Sequence, residues 1–229
     1  MQIAEGLHTM DHYGKLCSME ITSQSLLRFA NLLEFTIRKS KLDNHIFKFE
    51  IDYDKQQLIK ESKLFEYKPI NTETLNNIYG TSENNDDLSF INSDTAWWKD
   101  QESWNTSYQL KEDNSNLIES MRLTKLFKEI TKTDNIKPNF FTQTVGTEVK
   151  THRDVGTLCA INFIITGGET PVMFDGIGKD TYTVALLNVN ENHSVPTQTG
   201  ENRLLFKLRF TSNKYNEVKE SIKDYLLNV

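Results

Sequence analysis

The apolar positions of this chain change their period near residue 139. Before that point the spacing is mostly helical. Residues 23–39, SQSLLRFANLLEFTIRK, put Leu26, Leu27, Phe29, Ala30, Leu33 and Ile37 on one stripe, with Ser or Thr available as caps. HIFKFEID, residues 45–52, sets Ile46, Phe47, Phe49 and Ile51 among polar residues and predicts a strand. NTETLNNIYG, residues 71–80, predicts a short helix that stops at Gly80. A further helix is predicted over 115–132 from Leu117, Ile118, Met121, Leu123, Leu126, Phe127 and Ile130. Residues 81–116 are polar and rich in Asn, Asp and Ser, yet hold Trp97, Trp98 and Trp104.

From Asn139 short runs of β-branched and aromatic residues follow one another, separated by Gly, Pro and Asn. They are NFFTQTVG, EVKTHRD, TLCAINFIIT, TPVMF, TYTVALLNV, HSVP and NRLLFKLRF. Short strands at regular spacing predict a sandwich or barrel. The chain then runs into KYNEVKESIKDYLL, where Tyr215, Val218, Ile222, Tyr225 and Leu226 share a helical face. No internal repeat and no linker interrupts the pattern. The expectation is one domain over residues 1–229: a helical and mixed elaboration over 1–135, a β core over 136–212, and a closing helix over 213–229.

Composition narrows the function classes. The 229 residues are 37% hydrophobic and 10% aromatic, which suits a folded globular protein. The net charge is −6 with both signs interspersed, so a duplex nucleic-acid clamp is not expected. Two cysteines, Cys17 and Cys159, make no disulfide framework, and Cys159 reads as a buried thiol in a strand. No secretory leader and no run of roughly 20 apolar residues stands out, so the expected location is cytoplasmic, away from membranes.

The candidate chemistry lies in THRDVGTLCAINF, residues 151–163. Alternate residues of a strand face the same side, so His152 and Asp154 can offer two adjacent metal ligands. That is two-thirds of the two-histidine, one-carboxylate set that holds non-haem Fe(II) with open positions. An H-x-D pair is weak alone, arising by chance with a probability of about 0.3 in such a chain. Downstream only His193, in LLNVNENHSVP, is available as a third ligand, and Arg203 follows ten residues later.

H-x-D, a histidine some 40 residues on, then an arginine ten later, all in a β-rich half, resembles the Fe(II)- and 2-oxoglutarate-dependent dioxygenases. The texture is most similar to small phage and bacterial members and to the aspartyl/asparaginyl hydroxylase branch. The resemblance spans roughly residues 139–210. It implies a mainly β fold with flanking helices, a double-stranded β-helix or cupin-like jelly roll. It implies Fe(II) held by His152, Asp154 and His193, and 2-oxoglutarate gripped through its distal carboxylate by Arg203. A guanidinium suits that role, since it grips a carboxylate through two parallel hydrogen bonds and keeps its charge when buried. The cosubstrate and O₂ would fill the remaining metal positions. Oxidation of a small molecule, amino acid or peptide side chain, most simply hydroxylation, would then accompany decarboxylation of 2-oxoglutarate to succinate.

Some members carry a serine two residues after the arginine; here that position is Leu205. Gln143 and Asn162 are candidate extra polar contacts in the pocket, with Gln143 on the same strand face as Phe141. Lys150 shares strand parity with His152 and could hold an acidic substrate group. Trp97 and Trp98, with Trp104, either anchor their loop or form a lid offering apolar surface to a substrate. HTMDH, residues 8–12, would put His8 and His12 on one face of a helix, but it lacks the zinc-protease glutamate and is expected to be solvated. Two other classes compete: a non-catalytic jelly-roll binding module, and a cupin-type metalloenzyme that does not use 2-oxoglutarate. Arg203 at its offset argues against both.

Overall fold

The computed structural model describes residues 8–10, 16–18, 27, 30–32, 34, 41–69, 104–110, 114–154 and 156–228. They belong to two units, Met1–Lys41 and Leu42–Val229. In the first, strands β1 (His8–Met10) and β2 (Leu16–Ser18) pair antiparallel. Residues 27, 30–32 and 34 are helical, in keeping with the stripe over 23–39. His8 thus lies on a strand, so the helical spacing that would join it to His12 does not hold; His12 is outside the described residues.

The second unit is built on two antiparallel sheets. Its strands are β3 (Ile46–Lys48), β4 (Phe65–Pro69), β5 (Trp104–Leu110), β6 (Ile136–Gln143), β7 (Val149–His152), β8 (Cys159–Thr166), β9 (Val172–Phe174), β10 (Gly178–Asp180), β11 (Val184–Leu187), β12 (His193–Val195) and β13 (Arg203–Phe210). The large sheet has the order β3-β11-β8-β13-β6-β5-β4, and the small one β10-β9-β12-β7. Three helices accompany them: α1 (Lys55–Ser62), α2 (Ile118–Thr131) and α3 (Tyr215–Leu227).

Side-chain alternation divides the large sheet into two faces. On β8, Cys159, Ile161, Phe163 and Ile165 point one way, with Leu204, Phe206, Leu208 and Phe210 of β13. Leu58 of α1, Leu123 and Phe127 of α2, and Val218 and Ile222 of α3 cover this outer face. The opposite parity faces the small sheet. There Ala160, Ile164, Phe141, Leu187 and Leu205 pack against Val172 and Phe174 of β9. Two facing antiparallel sheets with interleaved strand order make a jelly roll, the double-stranded β-helix expected from the run of short strands.

Several boundaries moved. The strand expected over 45–52 is confined to Ile46–Lys48. The helix expected over 115–132 is Ile118–Thr131, and the closing helix is Tyr215–Leu227. The helix expected over 71–80 is outside the described residues. Helix α1 and strands β4 and β5 had no counterpart in the sequence reading. The start of α2 explains why α1 belongs where it is. Leu117 offers no capping side chain, and Glu61 of α1 instead accepts the backbone N–H groups of Glu119 (2.6 Å) and Ser120 (2.9 Å). A buried carboxylate from another helix thus satisfies donors that a helix end leaves open.

Candidate metal centre and anion pocket

Strands β7 and β12 pair so that His152 and His193 lie directly opposite each other. Their rings are 4.3 Å apart between centroids. The third residue comes from the turn after β7. The strand ends at His152, and Asp154 is held instead by its backbone N–H, which donates to Val189 O at 2.8 Å. The Arg153 side chain donates to Asn192 Oδ1 at 3.0 Å and ties this turn to the one before β12. Asp154 Oδ1 then lies 3.3 Å from His152 Nε2 and 3.8 Å from His193 Nε2. One donor atom from each of the three residues lies within 4.8 Å of the others.

This donor set fits a divalent metal ion. Two donors each about 2.1 Å from an ion, at a right angle, are about 3 Å apart. Both imidazoles have Nδ1 against a backbone carbonyl, His152 on Lys150 O at 2.8 Å and His193 on Glu191 O at 2.9 Å. Those contacts place the proton on Nδ1 and leave the Nε2 lone pairs facing Asp154. Burial and the neighbouring His152 push the His193 imidazole down to about 3, against the pull of Asp154, so it is neutral at ordinary pH, the form a metal ligand requires. For Asp154 burial works against ionisation. The Lys207 ammonium is the largest opposing influence, and it holds the carboxyl well below the usual carboxylate range.

Lys207 is the residue that the sequence reading missed. Its side chain is 9% exposed and its ammonium pairs with Asp154 Oδ2. The signal was present: in NRLLFKLRF, Lys207 has the parity of Arg203 and Arg209, with apolar residues at the other positions of the strand. Lys150, the lysine singled out from sequence, is exposed, and its backbone carbonyl is what His152 engages.

Arg203 opens β13 as expected and is 2% exposed. Its Nη1 donates to Thr170 O at 3.3 Å and its Nη2 to the Tyr182 hydroxyl at 3.5 Å, both long contacts. Its Nε has no partner, and no carboxylate among the described residues pairs with it. Gly167 (φ +64°), just after β8, lets the backbone pass close to the start of β13, since a Cβ there would lie 2.7 Å from Arg203 Cα. Further buried polar atoms lack partners on the strands and turns near Arg203: the Thr170 hydroxyl, and the amide oxygens of Gln143, Asn162 and Gln198. Gln143 sits opposite Arg203 on β6 with the parity of Phe141, as anticipated, and its amide donates to Thr147 O at 2.8 Å. Asn162 donates to the Tyr182 hydroxyl at 3.0 Å. That hydroxyl therefore receives two N–H groups and has its own proton to give. A buried guanidinium held only by long contacts, with its Nε unspent, is costly unless an anion completes it.

Trp97 and Trp98 are outside the described residues. Trp104 is not in a loop: it opens β5, opposite Gln143 of β6. Cys159 is a buried free thiol, as expected, with its ionisation suppressed by burial.

The chain matches no protein-family model and no curated protein in sequence. Among solved structures it is similar to an RmlC-like cupin protein from Desulfovibrio desulfuricans, at 19% identity over 34% of this chain and 74% of that one, with a TM-score of 0.27. It is similar to an oxidoreductase of the 2OG-Fe(II) oxygenase family from Burkholderia pseudomallei, at 14% identity over 49% of this chain and 70% of that one, with a TM-score of 0.36. A cupin domain from Bordetella pertussis gives 15% identity, 34% and 82% coverage, and a TM-score of 0.28. The fold assignment rests on the strand order and the two facing sheets. Among the described residues no helix is long and apolar enough to cross a membrane.

Proposed function

We propose that the protein is an Fe(II)- and 2-oxoglutarate-dependent oxygenase, acting as a hydroxylase on a small molecule, amino acid or peptide side chain. One observation carries this reading. The inner face of the large sheet holds a buried arginine without a carboxylate partner, on the strand whose lysine touches the Asp154 of a His-Asp-His cluster. Arg203 and Lys207 are four residues apart, about 13 Å of strand. A metal-chelating acid with a second carboxylate suits a face with a metal site at one end and an arginine at the other.

His152, Asp154 and His193 would hold the metal through Nε2, Oδ1 and Nε2. Three protein ligands leave positions open for a chelating cosubstrate and O₂. Arg203 would receive the distal carboxylate, with Nε making the bond it lacks. The hydroxyls of Thr170 and Tyr182 would add donors, supplying what Leu205 cannot. Phe141, Ile164 and Leu205 keep this face apolar between the polar groups, which strengthens the charge pairing and excludes water. When bound, Fe(II) supplies the redox chemistry that couples decarboxylation of 2-oxoglutarate to oxidation of a C–H bond.

The test is anaerobic. Fe(II) and then 2-oxoglutarate are added to purified apo-protein while the visible absorption is followed. A weak charge-transfer band that needs both additions, and that Arg203→Met shifts to much higher 2-oxoglutarate concentration, supports the reading. Metal uptake with no response to 2-oxoglutarate would instead leave a cupin-type metalloenzyme. No metal uptake at all would leave a binding module.

A further inference from the structure

The buried lysine of the inner face has a task that the metal triad alone does not describe. A lysine inside a sheet sandwich is expensive, and a leucine or methionine would fill the same space without desolvating a charge. Lys207 lies beside Asn162 of β8 and Asn139 of β6, and its Nζ is 5.4 Å from the centre of the Phe141 ring. Its ammonium pairs with Oδ2 of Asp154, while Oδ1 of the same carboxylate faces both imidazole Nε2 atoms. The two oxygens of Asp154 are thus divided between two neighbours.

We propose that Lys207 is the positioning residue of the metal centre: it grips Oδ2, so that Asp154 presents only Oδ1 to the ion. This deepens the reading above and rests on it. A carboxylate has two equivalent oxygens and one soft torsion. In a pocket without Lys207 it can swing to offer both oxygens, filling a position that cosubstrate or O₂ needs, or turn away from the histidines. Partners of this kind orient metal ligands, and their removal weakens metal affinity by roughly 10- to 100-fold. The contact is specific to Asp154 because no other acidic side chain among the described residues pairs with Lys207. The ammonium also lies over the face of the Phe141 ring, a favourable cation–π contact.

The test compares wild type with Lys207→Met, Lys207→Arg and Lys207→Gln, each checked for folding by its thermal transition. Mn(II) affinity is measured by the paramagnetic resonance of free ion, and the ligand set by the visible spectrum with Co(II). Lys207→Met should bind Mn(II) roughly 10- to 100-fold more weakly and change the Co(II) band pattern. Lys207→Arg should restore both. Lys207→Gln, which keeps a donor toward Oδ2 and fills the space, should fall between them and stands in if the methionine variant does not fold. Equal or tighter Mn(II) binding with an unchanged Co(II) spectrum in the methionine or glutamine variant would overturn the positioning role, while wild-type binding kept the metal reading intact. Failure of wild type to bind either ion would overturn both.

Discussion

The two faces of β13 are made by one strand and differ in purpose. Toward the helices it presents Leu204, Phe206, Leu208 and Phe210, all packed into the larger apolar cluster. Toward the small sheet it presents Arg203, Leu205, Lys207 and Arg209, each buried at 7% exposure or less. Backbone, register and neighbours are the same for both sets. The outer face gains stability from every side chain, whereas the inner face buries three cations that cost stability unless other groups answer them. Lys207 is answered by Asp154. Arg209 donates to Thr157 Oγ1 at 2.9 Å. Arg203 meets only a carbonyl and a hydroxyl, both at long distance. The helical side contributes the larger apolar cluster, while the side between the sheets combines a smaller one with these buried cations.

The largest effects should separate the faces most clearly. Phe206→Ala, on the outer face, should lose about 3–5 kcal/mol in urea denaturation, with the metal affinity of the surviving folded fraction unchanged. Asp154→Ala, on the inner side, should lose a comparable ~3–5 kcal/mol, because it leaves Lys207 buried and unpaired. This departs from the plain metal-ligand view, in which that variant keeps its stability. Adding Lys207→Met to Asp154→Ala should recover most of the loss while metal binding stays absent, and a thermal melt with a metal titration checks both. Smaller is Glu61→Ala, which strips the start of α2 of its acceptor and should cost about 1–3 kcal/mol with no effect on metal affinity. Arg203→Met should be within about 1 kcal/mol of wild type or more stable, yet should raise the concentration of 2-oxoglutarate needed for binding by on the order of 100-fold.

The smallest expected effect is a pH dependence on the helical side. Glu119 is buried, which raises its pKa, but hydrogen bonds from Arg122 and from the Asp54 N–H, with the Arg122 charge, bring it net below the ordinary glutamate value. A folded-state value below the unfolded one contributes stability above the ordinary glutamate pKa of about 4.3. That contribution fades as pH falls through the lower folded value. The stability gap between wild type and Glu119→Gln should therefore be present at pH 7 and shrink in acid. A gap independent of pH between 7 and 3 would mean that Glu119 acts through packing alone.

The β half was legible because its alternation is strong. In TLCAINFIIT the parity of Cys159, Ile161, Phe163 and Ile165 already separates two faces, and Asn162 stands out on the second. The approach of His152 to His193 was legible only as a hypothesis, since strand pairing between segments 40 residues apart leaves no local trace. Lys207 could have been found by continuing the parity from Arg203. Thr170 and Tyr182 could not, because they reach the arginine from separate connections whose path depends on the folded sheet. Helix α1 was missed because KQQLIKES buries only Leu58 among its apolar residues, and the polar Glu61 and Ser62 complete its inner side. Strand β5, WNTSYQL, lacks an apolar alternation, so pairing with β4 and β6 defines it more than its own residues do.

The most direct measurement is anomalous diffraction from crystals grown without oxygen in the presence of Mn(II) and 2-oxoglutarate. A manganese peak within bonding distance of His152 Nε2, His193 Nε2 and Asp154 Oδ1 is expected, with Lys207 still on Oδ2 and a carboxylate of the cosubstrate against Arg203 Nε. Manganese elsewhere, or a well-ordered inner face with the Lys207–Asp154 pair intact and no ion beside it, would contradict the assignment of this face as the metal site.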